Sequence, residues 1–171
     1  MVVLRFALIM LLSGLLAACS PTYDWREMPI NDGAISAYFP AKPITQARDL
    51  TFSGHELSFT LTSAPVDDVL FTVAYAALPA PMQDDAAASK AFADAVVQSL
   101  YRNLGAEVPQ DLPATGQPFM IEGMSPQGPV RLRATVWLTE HALIEALVTG
   151  DSATFPEAEA DEFLRGVKVA R

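Results

Sequence analysis

Apolar and polar residues alternate along much of the chain, which is the period of a half-buried β-strand. The alternation is clearest from Glu56 to Ser63 and from Val130 to Leu138, whereas Val69 to Leu78 is apolar on both faces and suits a central strand. Residues 142–149 have a helical composition, but their length and placement favour the return strand of a hairpin. The pattern predicts seven strands, at residues 34–40, 44–52, 56–63, 69–78, 119–124, 130–138 and 142–149.

Two segments instead repeat their apolar residues at helical spacing. The first is 84–104, where Asp84 and Asp85 match the positive end of a helix dipole and Gly105 is placed to cap the last turn. The second follows Thr154 and Glu157, whose spacing is that of a capping box. The apolar stripes are Phe92, Val96, Leu100 and Leu104 in the first helix and Ala160, Phe163, Leu164 and Val167 in the second.

The order of these elements predicts the fold class. Successive strands joined by short links form antiparallel sheets. The sequence therefore predicts an α+β domain, in which an antiparallel sheet of about six or seven strands packs against a long central helix and a C-terminal helix.

The amino-terminal residues carry a targeting signal. Arg5 precedes an apolar run, residues 6–18, that is shorter than the roughly 20 residues a membrane-spanning helix needs. A charged start, a short apolar run and small residues at its end are typical of a secretory signal peptide. The run ends in Leu16-Ala17-Ala18-Cys19, which resembles the lipobox of bacterial lipoproteins.

The lipobox resemblance implies cleavage after Ala18, with S-diacylglycerol and an N-acyl group on Cys19. Two alternatives are an ordinary secretory signal cut at Ala18, which would make the following cysteine a coincidence, and a buried core cysteine. Ser20 directly follows the cysteine, and the chain in this respect resembles lipoproteins in which a serine at that position allows transport to the outer membrane. The resemblance thus implies a lipid-anchored protein of the cell envelope, on the periplasmic face of the outer membrane.

The chain is expected to contain a signal peptide (1–18), a lipidated N-terminus and tether (19–33) and a single domain (34–171). Trp25 is a large apolar side chain in a tether that is otherwise polar and rich in turn residues. It is expected to dock on the domain or to lie at the membrane interface. The only cysteine is Cys19, so no intrachain disulfide is expected.

Charge argues against two classes of partner. The formal net charge is −9, and it becomes −10 once Arg5 is removed with the signal peptide. An acidic domain does not suit nucleic acid, whose phosphates favour a basic surface, and it is repelled by anionic lipid. Attachment to the membrane is therefore expected to come from acyl chains, each buried methylene contributing about 0.8 kcal/mol.

A family resemblance follows from the layout of residues 34–169. Its features are Tyr38-Phe39-Pro40 at a strand end, a central helix before a three-strand meander, and the closing segment Glu162 to Val167. The layout resembles the PsbP-like fold of the photosystem II P subunit, a nuclear Ran-binding protein and many small bacterial lipoproteins. Cystatin-like folds are the competing interpretation. The PsbP-like resemblance implies a non-catalytic protein-binding or assembly module; the alternatives are a small-ligand-binding lipoprotein and a small envelope hydrolase.

The residues themselves offer little chemistry. His55 and His141 are the only histidines, and no G-x-S-x-G motif accompanies them. His141 and Glu145 are four residues apart, about 13 Å along a strand, which is too far to share a metal ion. Asp67-Asp68 and Asp84-Asp85 are typical of a turn and of a helix start. We therefore expect no catalytic, cofactor-binding or metal-binding residues.

One face of the strand 130–138 is a candidate protein-contact patch. It carries Arg131, Arg133 and Trp137, and arginine and tryptophan are enriched at binding hot spots. The alternative interpretation is that Trp137 packs under a helix while the arginines pair with Glu122 or Glu145 across the sheet.

Overall fold

The computed structural model of the chain describes residues 22–52 and 54–170, so the signal peptide, Cys19 and Ser20 lie outside the described residues. The described part forms nine strands and three helices. The strands are β1 (Arg26–Ile30), β2 (Ile35–Phe39), β3 (Ile44–Phe52), β4 (His55–Val66), β5 (Val69–Ala77), β6 (Pro118–Ser125), β7 (Gly128–Leu138), β8 (Ala142–Asp151) and β9 (Lys168–Val169). The helices are α1 (Ala80–Gln83), α2 (Ala86–Asn103) and α3 (Glu157–Gly166).

The strands form two antiparallel sheets. The large sheet has six strands in the order β3-β4-β5-β8-β7-β6, and the small sheet has three in the order β1-β2-β9. The two helices after β5 carry the chain from the middle of the large sheet to its β6 edge, and the meander β6-β7-β8 then returns to β5. The small sheet and α3 pack on one face of the large sheet and α2 packs on the other.

The predicted fold class is wrong. Of the described residues, 48% lie in strands and 22% in helices, so the protein is mostly β, with nine strands in two sheets and three helices. The prediction of one sheet under a long central helix and a C-terminal helix fails because the strand predicted at 34–40 is not part of the large sheet. It pairs instead with β1 and β9, two short strands that the alternation pattern did not reveal.

Individual elements agree well with the sequence. All seven predicted strands are present, including β8, whose composition is ambiguous. Helix α2 begins after Asp85, whose carboxylate accepts hydrogen bonds from the N–H groups of Ala87 and Ala88. Gly105, at φ +63°, ends it with a hydrogen bond from Ala106 N–H to Tyr101 O of 3.0 Å. The predicted capping box at Thr154 is wrong, because Pro156 occupies the N-cap of α3 and makes no side-chain cap.

Two main cores lie on opposite faces of the large sheet. The small-sheet core joins β2 and α3 to the inner strands, with Phe163 5.4 Å from both Phe39 and Phe71 between ring centroids. The helix-side core lies under α2, where Phe92 contacts Phe52 and Phe59. The inner strands β5 and β8 contribute to both cores, which explains why their sequences are apolar on both faces.

Candidate functional site

The α2 face of the large sheet is only partly covered. Helix α2 packs over Leu57, Phe59, Leu143 and Val136, and its last turns reach Ile121 near the β6 edge. The sheet extends beyond this helix towards the other ends of the strands. There Ile44 is 57% exposed and Leu70 is 43% exposed, and both side chains lie on the face that α2 covers elsewhere.

This uncovered part forms a groove of about 330 Å³, which we call the sheet groove. Its lining comes from β3, β4, β5 and β8. Four aliphatic and five polar residues contribute, and most of the surface that they expose to the groove is apolar. A hydrogen bond of 2.9 Å between the hydroxyls of Ser63 and Thr72 crosses the floor. The lining residues are Ile44, Gln46, Arg48, Leu61, Ser63, Leu70, Thr72, Leu147 and Thr149.

Of the side chains that the structure describes, Arg48 is the only charged one in the lining of the sheet groove. Within the described ranges it makes neither an ion pair nor a side-chain hydrogen bond, although the protein as a whole is acidic. Its guanidinium therefore has its hydrogen-bond donors available on one wall of an apolar groove.

The groove continues past Leu70 and Thr149 into a second hollow of about 600 Å³. The hairpin turns at this end of the sheet form its walls, and Asp68 and Asp151 place two carboxylates there. Across residues 22–52 and 54–170, no group of three or more His, Cys, Asp or Glu side chains is arranged to hold a metal ion.

Glu145 lies at the boundary between the covered and uncovered parts. It is 5% exposed and stands opposite Ala74 and Val136, between the α2-covered Leu143 and the groove residue Leu147 on its own strand. Burial among apolar neighbours raises the pKa of this carboxyl to about 7. Of the two acids offered as partners for the arginines, Glu122 pairs with Arg131 and Glu145 does not, since both arginines face the other side of the sheet from Glu145.

The structure places Arg131, Arg133 and Trp137 together on the α3 side of β7. Arg131 pairs with Glu122 and with Glu157, while Arg133 pairs with Glu157 (3.1 Å) and Asp161 (2.6 Å). Hydrogen bonds from Ser152 and Arg131 lower the pKa of Glu122. Trp137 is half-buried against the small-sheet core. The role of these residues as a contact patch stays a prediction, but their charges are already engaged within the molecule.

The histidines lie outside the sheet groove. His55 starts β4, where it pairs with Phe52 across the hairpin. The Nδ1 atom of His141 is 2.9 Å from Oε1 of Gln83 in α1, and its Nε2 is 4.0 Å from the exposed carboxylate of Glu140. Asp67 lies in the β4–β5 turn, as predicted, at φ +49°.

The segment predicted to be a tether belongs to the fold from Tyr23 onwards. Tyr23 and Trp25 stack on each other with centroids 6.1 Å apart, and both meet the ring of Phe71 edge-on. Trp25 thus docks on the domain, one of the two places expected for it. Strand β1 follows directly and pairs with β2.

Comparison with protein-family models, with curated proteins and with solved structures finds no match to this chain. In the described part of the chain, none of the helices combines the length and the apolar character needed to cross a bilayer.

Sequence reasoning missed the sheet groove. The apolar residues of the groove alternate with the same period as the core residues under α2. Alternation shows which residues share a face of the sheet, but it does not show how much of that face a helix covers. One signal was available: residues 44–52 carry Gln46 and Arg48 on the face shared with Ile44 and Leu50, so that face of the strand is not purely apolar.

Proposed function

We propose that this protein is a lipid-anchored protein of the bacterial cell envelope whose folded domain binds another envelope protein and does not catalyse a reaction. The anchor is proposed from Leu16-Ala17-Ala18-Cys19, with cleavage after Ala18 and acyl groups on Cys19. Ser20 supports a position on the periplasmic face of the outer membrane.

The observation that carries the binding role is the sheet groove. An uncovered apolar groove rimmed by polar side chains supports a role in binding, because exposed apolar patches with a polar rim are found at interaction sites. The groove is open along its length, whereas sites for small molecules usually enclose most of their ligand. An extended polypeptide segment suits this shape better than a small molecule does.

The lining indicates the chemistry of the partner segment. Ile44, Leu61 and Leu70 offer contacts for apolar side chains, and Arg48 offers donors to a carboxylate. The partner is therefore proposed to present an extended segment that combines apolar residues with an acidic one.

The anchor is tested by replacing the cysteine. Cys19→Ala should abolish incorporation of labelled palmitate and leave an uncleaved precursor, because no thiol remains to accept diacylglycerol. Labelling that persists at the wild-type level in this variant would rule out lipidation at Cys19.

The groove is tested by crosslinked affinity purification of the tagged full chain from membranes. Leu70→Asp places a charge in the groove at an exposed position, so the protein should fold normally and recover at most about one tenth of the partner, a loss of about 1.4 kcal/mol of binding free energy. Met120→Asp is the matched control, since Met120 is 50% exposed on β6, away from the groove. Equal recovery of the same stoichiometric partner with both variants would contradict the proposed site.

A further inference from the structure

Strand β3 is an open edge of the large sheet. Among residues 22–52 and 54–170, the nine residues of β3 pair only with β4. The first eight are exposed, so neither face of the strand is covered by that part of the chain. Within the described residues, no backbone hydrogen bond other than those of the β3–β4 ladder involves residues 44–52.

The opposite edge is protected. The N–H of Met124 in β6 donates to Leu104 O, at 2.8 Å, in the turn that ends α2. Gly123 lies so close to Leu104 that a Cβ atom there would overlap it. The α2–β6 connection thus covers part of the β6 edge, and no other segment that the structure describes covers β3 in this way.

An exposed strand edge is a template for another strand, and proteins usually block it with prolines, bulges or very short strands. Strand β3 is nine residues long, its register with β4 is continuous, and its nearest proline, Pro43, lies before it. Its two charges, Arg48 and Asp49, have opposite signs and lie on opposite faces. These two charges disfavour the pairing registers that set like charges opposite each other, but they leave other registers open.

We propose that β3 pairs antiparallel with β3 of a second copy of this chain, about a two-fold axis at Ala47 that is perpendicular to the sheet. The two large sheets then become one continuous sheet. This pairing does not depend on the envelope partner proposed above.

The side chains favour this register over its neighbours. In such a dimer, residues on the same face lie opposite each other, so the axis must fall on a residue. An axis at Arg48 or at Asp49 would set like charges directly opposite each other. An axis at Ala47 instead sets Ile44 against Leu50 of the second copy. It also sets Gln46 against Arg48 and Thr45 against Asp49, pairs that are apolar or capable of hydrogen bonding.

The interface is small, since seven residues of each strand take part. An interface of this size falls below that of stable soluble dimers, so the dimer is expected where the chains are concentrated at a surface. Anchoring at Cys19 would supply this by raising the effective concentration. The sheet grooves of the two copies meet at the axis, because Gln46 and Arg48 of both copies line them.

The test is disulfide crosslinking of the full chain in bacterial cells, with Ala47→Cys, Thr45→Cys and Thr51→Cys compared after copper-phenanthroline oxidation. All three residues are exposed on the same face of β3. At the axis the two Ala47 Cα atoms are about 5 Å apart, within disulfide range, whereas Thr45 lies about 13 Å along the strand from its own copy. We expect about ten times more reducible dimer from Ala47→Cys than from either control.

Equal crosslinking of the three variants, or a monomeric Ala47→Cys whose thiol reacts with maleimide, would overturn the proposal. As a second measurement, Ile44→Cys and Leu50→Cys chains expressed together should crosslink to each other, and each chain expressed alone should not. Fractionation of the same cells keeps the proposals separate. A soluble protein would contradict the lipid anchor. Crosslinking of the same cysteine variants as concentrated purified protein would then test β3 pairing without the anchor.

Discussion

Glu145 is a carboxyl group buried among apolar side chains in the middle of the large sheet. Ionising it there costs free energy, since no arginine or lysine in the described residues forms an ion pair with it. The sequence placed Glu145 on a strand correctly, but it also allowed Glu145 as a partner of Arg131 or Arg133, which lie on the other face. Strand β8 is apolar on both faces. Alternation therefore shows which of its residues share a face, but it does not show which face of the sheet that is.

The raised pKa of Glu145 predicts that stability depends on pH. The folded state holds this proton up to about pH 7, whereas a glutamate in the unfolded chain releases it near 4.5. The stabilising contribution is therefore complete below pH 4.5 and is lost as the pH rises through 7, a change of about 3 kcal/mol in the free energy of unfolding. Urea titrations at pH 5 and pH 8 measure it.

Glu145→Gln should remove most of this dependence and make the protein more stable than wild type at pH 8. The control is Glu140→Gln, because the side chain of Glu140 is 92% exposed. The quantity to compare is the difference in free energy of unfolding between the wild type and the Glu145→Gln variant. If this difference is the same at pH 5 and at pH 8, the pKa of Glu145 is not raised.

At the level of elements, the ion pairs between α3 and β7 show why a sequence pattern can predict a helix and still assign the wrong partner to one of its residues. The spacing of Thr154 and Glu157 predicts a capping box, but the carboxylate of Glu157 pairs with Arg131 and Arg133 instead. The spacing reveals local partners only, and here two arginines more than twenty residues earlier in the chain compete for the same group. Strands β1 and β9 were missed for a related reason, since a strand containing Pro29 and one of two residues have no clear period.

The ion pairs between α3 and β7 predict a salt-sensitive contribution to stability. Glu157→Gln should lower the free energy of unfolding by about 1 kcal/mol at low ionic strength, because partly exposed ion pairs contribute little individually and somewhat more as a network. The loss should shrink in about 1 M salt, where the Debye length is about 3 Å. Glu162→Gln, on the same helix, should have little effect at either salt concentration, because Glu162 is exposed and forms no ion pair with another described residue.

At the scale of the whole molecule, the large sheet lies between two cores and shares its inner strands with both. The sequence predicted the strands of this sheet but not their division between two sheets, because local alternation carries no information about which strands become neighbours. Both tryptophans, Trp25 and Trp137, pack against the small-sheet core.

This arrangement predicts a single cooperative unfolding transition. Phe92→Leu, in the helix-side core, should lower the free energy of unfolding by about 1 kcal/mol. Because β5 and β8 belong to both cores, the tryptophan fluorescence midpoint in urea should move as far as the circular dichroism midpoint, although neither tryptophan belongs to the core around Phe92. A fluorescence midpoint unchanged by Phe92→Leu would show that the two faces unfold separately.

The docking of Tyr23 on Phe71 limits how far the folded domain can lie from the proposed lipid anchor. With lipid on Cys19, as proposed, only residues 19–22 separate the acyl chains from the packed ring of Tyr23. Four residues span at most about 14 Å when fully extended. The small sheet would then stand next to the lipid head groups, while the sheet groove, on the other face of the large sheet, would open away from them. A partner would meet this groove from the aqueous side, at a distance of one domain thickness from the membrane.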